Sequence, residues 1–192
     1  MDKELQIRKM TVKIIRNIFI VLLTVTAALI AAVFFNRVAE EIVLSSGLLI
    51  PRYATTDDKM LTEDVTVIKK GRGLAIIRDK EKIWQIPRNV KVQDFLLADL
   101  DGDDTKELLV LCWKRGRYGK RRPTWVKRDE TGYSQHIFVY RISPDGADPM
   151  WMASDIGPEA VFWDFHDDIL FITETDGDVT KWKWGSWGFE KM

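Results

Sequence analysis

Asp99, Asp101 and Asp103 alternate along the chain, and Glu107 follows four residues after the last of them. They stand in ADLDGDDTKELLV, residues 98–110, immediately before a strongly apolar run. Carboxylates this close repel one another unless a cation sits among them. Alternate residues of a loop can turn their oxygens towards one centre, and calcium, a hard cation, takes six to eight oxygens at about 2.3–2.6 Å. The competing reading needs no metal: a solvated acidic turn that leads into a strand. The residues alone leave both open.

A second signal has the opposite charge. Residues 113–128, WKRGRYGKRRPTWVKR, hold Lys114, Arg115, Arg117, Lys120, Arg121, Arg122, Lys127 and Arg128, with no acid before Asp129. Gly116, Gly119 and Pro123 make the segment a loop. Trp113, Tyr118 and Trp125 are interleaved with the cations, and charge combined with stacking grips a polyanion. Such a loop also serves simply as a solvated hairpin connection paired with nearby acids.

The remaining reactive side chains are few. Cys112 is the single cysteine, which excludes an intramolecular disulfide and Cys-rich zinc sites. The two histidines, His136 and His166, argue against a His-based metal centre. No G-x-S-x-G and no phosphate-cradling glycine loop occurs. His166 with Asp164, Asp167 and Asp168 can be drawn as an acid/base cluster, but it reads more simply as a polar turn. The sequence therefore points away from an enzyme. A wall-active or carbohydrate-active enzyme with spatially paired carboxylates is the alternative.

These residues must be positioned by the elements around them. Residues 18–35, IFIVLLTVTAALIAAVFF, contain no charge, and as a helix they extend roughly 27 Å, close to a bilayer's hydrocarbon thickness. The run is longer than a signal peptide's apolar region and lacks a clear small-residue cleavage pattern, so it reads as an uncleaved signal-anchor. Lys3, Arg8, Lys9, Lys13 and Arg16 precede it, and the positive-inside rule puts the N-terminus in the cytoplasm and the rest of the chain outside. The expected organisation is a basic cytoplasmic tail over 1–17, a transmembrane helix over 18–36, a stalk and linker over 37–62, and a β domain over 63–192.

Within 63–192 the pattern changes to short apolar runs broken by turn residues, the mark of an all-β domain. Ten runs read as strands: 64–70, 73–79, 82–87, 92–100, 106–114, 136–142, 149–155, 159–165, 169–175 and 178–187. Eight tryptophans suit a β-rich, aromatic-packed interior. Trp182 and Trp184 share one strand face; core packing is the simpler account of them, and sugar stacking the other. A faint repeat lays 83–111 over 150–175, matching Trp84 to Trp151. Such self-similarity marks blades. The segment has room for about three blades of about 40–45 residues, fewer than the four of a closed propeller. The domain must then close on itself in another way, pair with a second copy, or dock on another extracytoplasmic protein.

The acidic loop, read with this repeat, resembles the calcium loop of FG-GAP (VCBS-like, integrin-α-type) β-propeller repeats, which runs D-x-D-x-D-G-x-x-[DE] between two strands of a blade. The likeness is close over 99–107 and loose over the rest of the β domain. It implies side-chain ligands from Asp99, Asp101, Asp103 and Glu107 and the backbone carbonyl of Thr105, with calcium as a structural ion. Asp104 stands where the family usually has Gly, and Asp tolerates the left-handed backbone such a turn needs. The function implied is binding or scaffolding at the cell surface. With the basic loop outside the membrane, its partners would be anionic lipid headgroups or an anionic envelope polymer rather than nucleic acid. A polyanion-binding module acting through 113–128 is a further alternative.

Overall fold

The computed structural model describes residues 18–192 except 36, 39–49, 51–57, 63, 119–123, 154–155 and 158. The chain divides into two compact units, residues 1–46 and 47–192. The basic tail over 1–17 and most of the stalk lie outside the described residues.

In the first unit one helix, α1 (Ile18–Phe35), is long and apolar enough to cross a membrane, and none of it is buried. Its two hydroxyl side chains turn back on the helix. Thr24 Oγ1 donates to the Val21 carbonyl at 2.8 Å, and Thr26 Oγ1 to the Leu22 carbonyl at 2.9 Å. No polar side-chain group on α1 therefore needs water, as hydrocarbon requires.

The second unit is all β, and its described residues form twelve strands: β1 (Asp58–Leu61), β2 (Thr66–Lys70), β3 (Gly73–Arg78), β4 (Glu81–Gln85), β5 (Val90–Ala98), β6 (Glu107–Arg115), β7 (Tyr133–Ser143), β8 (Gly146–Met152), β9 (Ala160–His166), β10 (Ile169–Glu174), β11 (Val179–Gly185) and β12 (Gly188–Lys191). They make three antiparallel four-stranded sheets, each from four consecutive strands, and no sheet closes on itself. The expected β domain after an apolar helix is present. One strand differs from expectation: β1 lies inside the stretch read as linker, because DKML has too little pattern to read as a strand until it pairs with β2. β12 follows the exposed Trp187 and pairs with β11.

The middle sheet, β5–β8, carries a core on each face. Val92, Phe95, Leu108, Val110 and Phe138 pack with Val67, Leu74 and Ile76 of the first sheet. Leu109, Leu111, Ile137 and Val139 pack with Trp163, Leu170 and Ile172 of the third. This explains β6: ELLVLCWKR does not alternate because Glu107 to Trp113 are all buried, whichever face they point to. β3 and β10 bury one face only, and their burial alternates.

The Trp84/Trp151 match has a structural counterpart. Each residue lies on the fourth strand of its sheet and reaches into the next sheet. Trp84 stands edge-on to Tyr140 with ring centroids 5.0 Å apart, and Trp151 edge-on to Trp184 and Phe189 at 6.1 and 5.8 Å. Most described tryptophans serve the core in this way, whereas Trp125 and Trp187 are 81% and 88% exposed.

Candidate functional site

The acidic residues occupy the β5–β6 connection, and the loop is built on Asp99. Its Oδ1 accepts from the Gly102 amide at 2.8 Å and its Oδ2 from the Asp104 amide at 2.9 Å. Asp103 Oδ1 accepts from the Thr105 amide at 2.8 Å, which holds the Asp103 carboxyl below its usual pKa. Gly102 and Asp104 both take positive φ, 77° and 64°. Asp104 thus adopts the left-handed backbone expected of the residue in the glycine position.

Glu107 opens β6 and is completely buried. Its Oε2 accepts from the Leu100 amide at 3.0 Å. Its Oε1 is buried and accepts no hydrogen bond. Burial pushes the Glu107 carboxyl above its ordinary pKa, and the Asp101 and Asp103 anions add to the shift.

One carboxylate oxygen each from Asp99, Asp101 and Glu107 lies within 4.8 Å of the others. Of the four side-chain ligands implied by the resemblance, these three come together, whereas Asp103 is turned to the loop's own backbone. Thr105 lines a cavity of about 440 Å³ beside Asp104 and Lys106. The donor set suits a hard divalent cation: all oxygen, with a buried Glu107 oxygen in hand.

The positive group among these acids within the chain itself is Arg141 of β7. Its Nη2 lies 2.6 Å from Asp101 Oδ2, and its Nε lies 3.5 Å from Glu107 Oε1. Partial burial works against the guanidinium's charge, but Asp101, Glu107 and Asp103 outweigh it and raise its pKa. Sequence reading passed over this residue. The one available signal was a lone cation in the apolar run HIFVYRI, and its partner depends on register: Tyr140 pairs with Leu108, next to Glu107.

The basic segment begins on the last three residues of β6 and continues into the β6–β7 connection, at the other end of the strands, so its start is strand rather than the expected loop. Its first cations have partners: Lys114 lies over Phe138, Arg115 over Tyr133, and Arg117 pairs with Glu130 at 3.8 Å. Asp129 Oδ1 accepts from the Arg117 and Tyr118 amides. Trp125, Lys127 and Arg128 are exposed. Lys120, Arg121 and Arg122 lie outside the described residues.

A polar seam that sequence reading also missed joins the middle and third sheets. Gln93 Oε1 accepts from Trp113 Nε1 at 2.8 Å and from Gln135 Nε2 at 2.6 Å. Both glutamine amides donate to the Ala160 carbonyl at 2.9 Å, and Gln135 Oε1 accepts from the Ala160 amide. Beside it, burial raises the Asp94 pKa, and the hydrogen bond that Trp163 Nε1 donates to Asp94 Oδ2 at 2.9 Å, the Phe95 amide and the buried Lys69 ammonium offset part of that rise. His166 pairs with Asp164 at 3.0 Å on the solvent side and stacks on Phe171. Asp167 and Asp168 form the tight β9–β10 turn with positive φ, as in a primed hairpin.

No family model, no curated protein and no solved structure matches this chain.

Proposed function

We propose that the chain is a single-pass membrane protein whose β domain acts outside the cytoplasm as a binding or scaffolding module. In this reading the three sheets are propeller-like blades, and a calcium ion staples the loop from Asp99 to Glu107. The observation that carries it is α1: eighteen residues without a charge, with every described apolar side chain exposed. Burying such a surface in hydrocarbon is favourable at roughly 25 cal/mol per Å², and water offers no comparable state. The five basic residues before α1 give the orientation.

A binding role is supported by the outer faces of the stack. Leu61 on the first sheet and Phe162 and Val179 on the third are 70%, 62% and 55% exposed. They offer apolar area to a second copy or another extracytoplasmic protein. The calcium assignment is supported by the converging oxygens of Asp99, Asp101 and Glu107.

A reporter fused after Met192, combined with a tag at Met1, tests the anchor. The reporter should be active only outside the cytoplasm, and the tag should stay with the β domain in the membrane fraction. Cytoplasmic activity would sink the orientation. Loss of the tag would mean that α1 is a cleaved signal.

A further inference from the structure

The chain's neutral net charge conceals a separation of charge along the strands of the first two sheets. The acidic loop lies at the end where β5 passes into β6, together with Asp64, Asp79 and Asp145 in the neighbouring turns. The opposite end is basic, and a connected set of pairings defines it. Asp58 pairs with Lys69, the Val92 amide donates to the Arg72 carbonyl, Val90 pairs with Lys114, and Arg115 pairs with Tyr133. This brings Lys70, Arg72, Arg88 and Lys91 to the same end as the β6–β7 loop, with its exposed Trp125, Lys127 and Arg128.

Among the described acids at this end, Asp129 holds two backbone amides and Glu130 pairs with Arg117, while Asp58 of β1 is exposed. The acidic β10–β11 turn of the third sheet, with Asp176 and Asp178, marks the patch's border. The basic end is also where the chain enters the β domain, because β1 begins there with Asp58.

From this we infer that the basic end of the first two sheets, with Trp125 beside it, docks on anionic lipid headgroups of the membrane that α1 occupies. The inference rests on the anchor reading and goes beyond it by naming the face and the lipid charge. The chemistry matches. Lys and Arg gain from an anionic surface, and a Trp favours the headgroup boundary, where one side of its ring is apolar and its N–H is wet.

Affinity is not the obstacle it would be for a soluble protein. Residues 36–57 extend at most roughly 75 Å, so the patch is held near its own bilayer. A tether of that order gives an effective concentration near the millimolar range, at which weak docking is populated. A bilayer fits better than a soluble polymer because, on the anchor reading, a bilayer is always within the tether's reach of the patch.

The test uses the full chain in bilayer discs of phosphatidylcholine, with or without phosphatidylglycerol. Cys112 is fully buried. A Thr124→Cys substitution therefore places one reactive thiol beside Trp125, and Asp167→Cys gives a control at the opposite end. A nitroxide at 124 should lose accessibility to a water-soluble relaxation agent only in the anionic discs, and molar salt should restore it. The label at 167 should not respond.

Lys127→Glu with Arg128→Glu should lower the docking equilibrium constant at least about thirtyfold, since one basic residue at an anionic surface is worth about a fivefold change. Equal accessibility of position 124 in both kinds of disc overturns the docking. Protection by added polyphosphate, without any response to lipid charge, also overturns it and assigns the patch to a polymer. Failure of the chain to enter discs overturns the anchor reading instead, and the docking with it.

Discussion

The guanidinium of Arg141 reaches across from β7 to lie 2.6 Å from Asp101, on a loop that approaches it from β5. The chain thus supplies a cation of its own to carboxylates that otherwise repel. The pair is partly exposed, and such pairs contribute about 0.2–1 kcal/mol. A calcium ion using Asp101 and Glu107 must share them with Arg141 or displace it. Arg141→Gln should therefore enlarge the rise in melting temperature on adding calcium. A ligand specific for the folded form contributes about 2.7 kcal/mol at a hundredfold excess over Kd. Asp101→Asn should reduce the response in either background. If neither form responds to calcium and Arg141→Gln simply lowers stability, the arginine and not a metal ion balances these carboxylates.

Glu107 sets a pH dependence with a definite sign. Its folded pKa is raised above the ordinary 4.5. In the window between the unfolded and folded values the native state therefore holds more protons. Stability falls as pH rises through that window, and the loss is complete above the folded value. Glu107→Gln keeps an oxygen for the Leu100 amide and removes the charge. Its stability relative to the parent should grow from pH 4 to neutrality in chelator, by roughly 1.4 kcal/mol per unit of pKa shift. Calcium should shrink the difference, because a bound ion favours the carboxylate. Parallel pH profiles for the two proteins would show that Glu107 titrates normally.

Much of this architecture was legible because the strands that bury one face alternate, and because β6, buried on both, does not. The acidic loop itself was legible too, since Asp at every second loop position is a local pattern. Arg141, Gln93, Gln135 and Lys69 were not. Each is a polar residue within a strand, and its role depends on the residue that register or sheet stacking sets opposite. Gln93 and Gln135 are 42 positions apart and meet at the Ala160 peptide, which belongs to another sheet. β1 was hidden for a related reason, since its four residues become a strand only by pairing with Thr66–Lys69.

The glutamine seam should be costly to break. Gln135→Ala leaves the Ala160 amide without its acceptor and removes one of two donors from the Ala160 carbonyl. A buried polar group without a partner costs about 1–3 kcal/mol, and the cavity adds to it. The expected loss is about 2–4 kcal/mol in denaturant unfolding of the detergent-solubilised chain. Gln93→Ala and the double variant should be strongly non-additive, because both side chains serve the same peptide. Additive losses would mean that the two amides act independently.

A close fit between sheets lies at Gly188, the first residue of β12. Its φ is 119°, and a Cβ there would collide with the indole of Trp151 from the preceding sheet. One sheet earlier, Gly146 opens β8 below Trp84, but a Cβ there would stand 3.4 Å from the ring, near ordinary contact. The same device is tight at the second junction and looser at the first. Gly188→Ala combines a strained backbone with overpacking, and it should cost about 2–4 kcal/mol. Gly146→Ala should cost about 1 kcal/mol or less. Trimming the indole tests the cause: Trp151→Leu loses its own packing, but in its presence Gly188→Ala should cost only the backbone share, about 1 kcal/mol. An equal cost with and without the Trp151 ring would show that the penalty at Gly188 is conformational, and that the ring does not need the missing side chain.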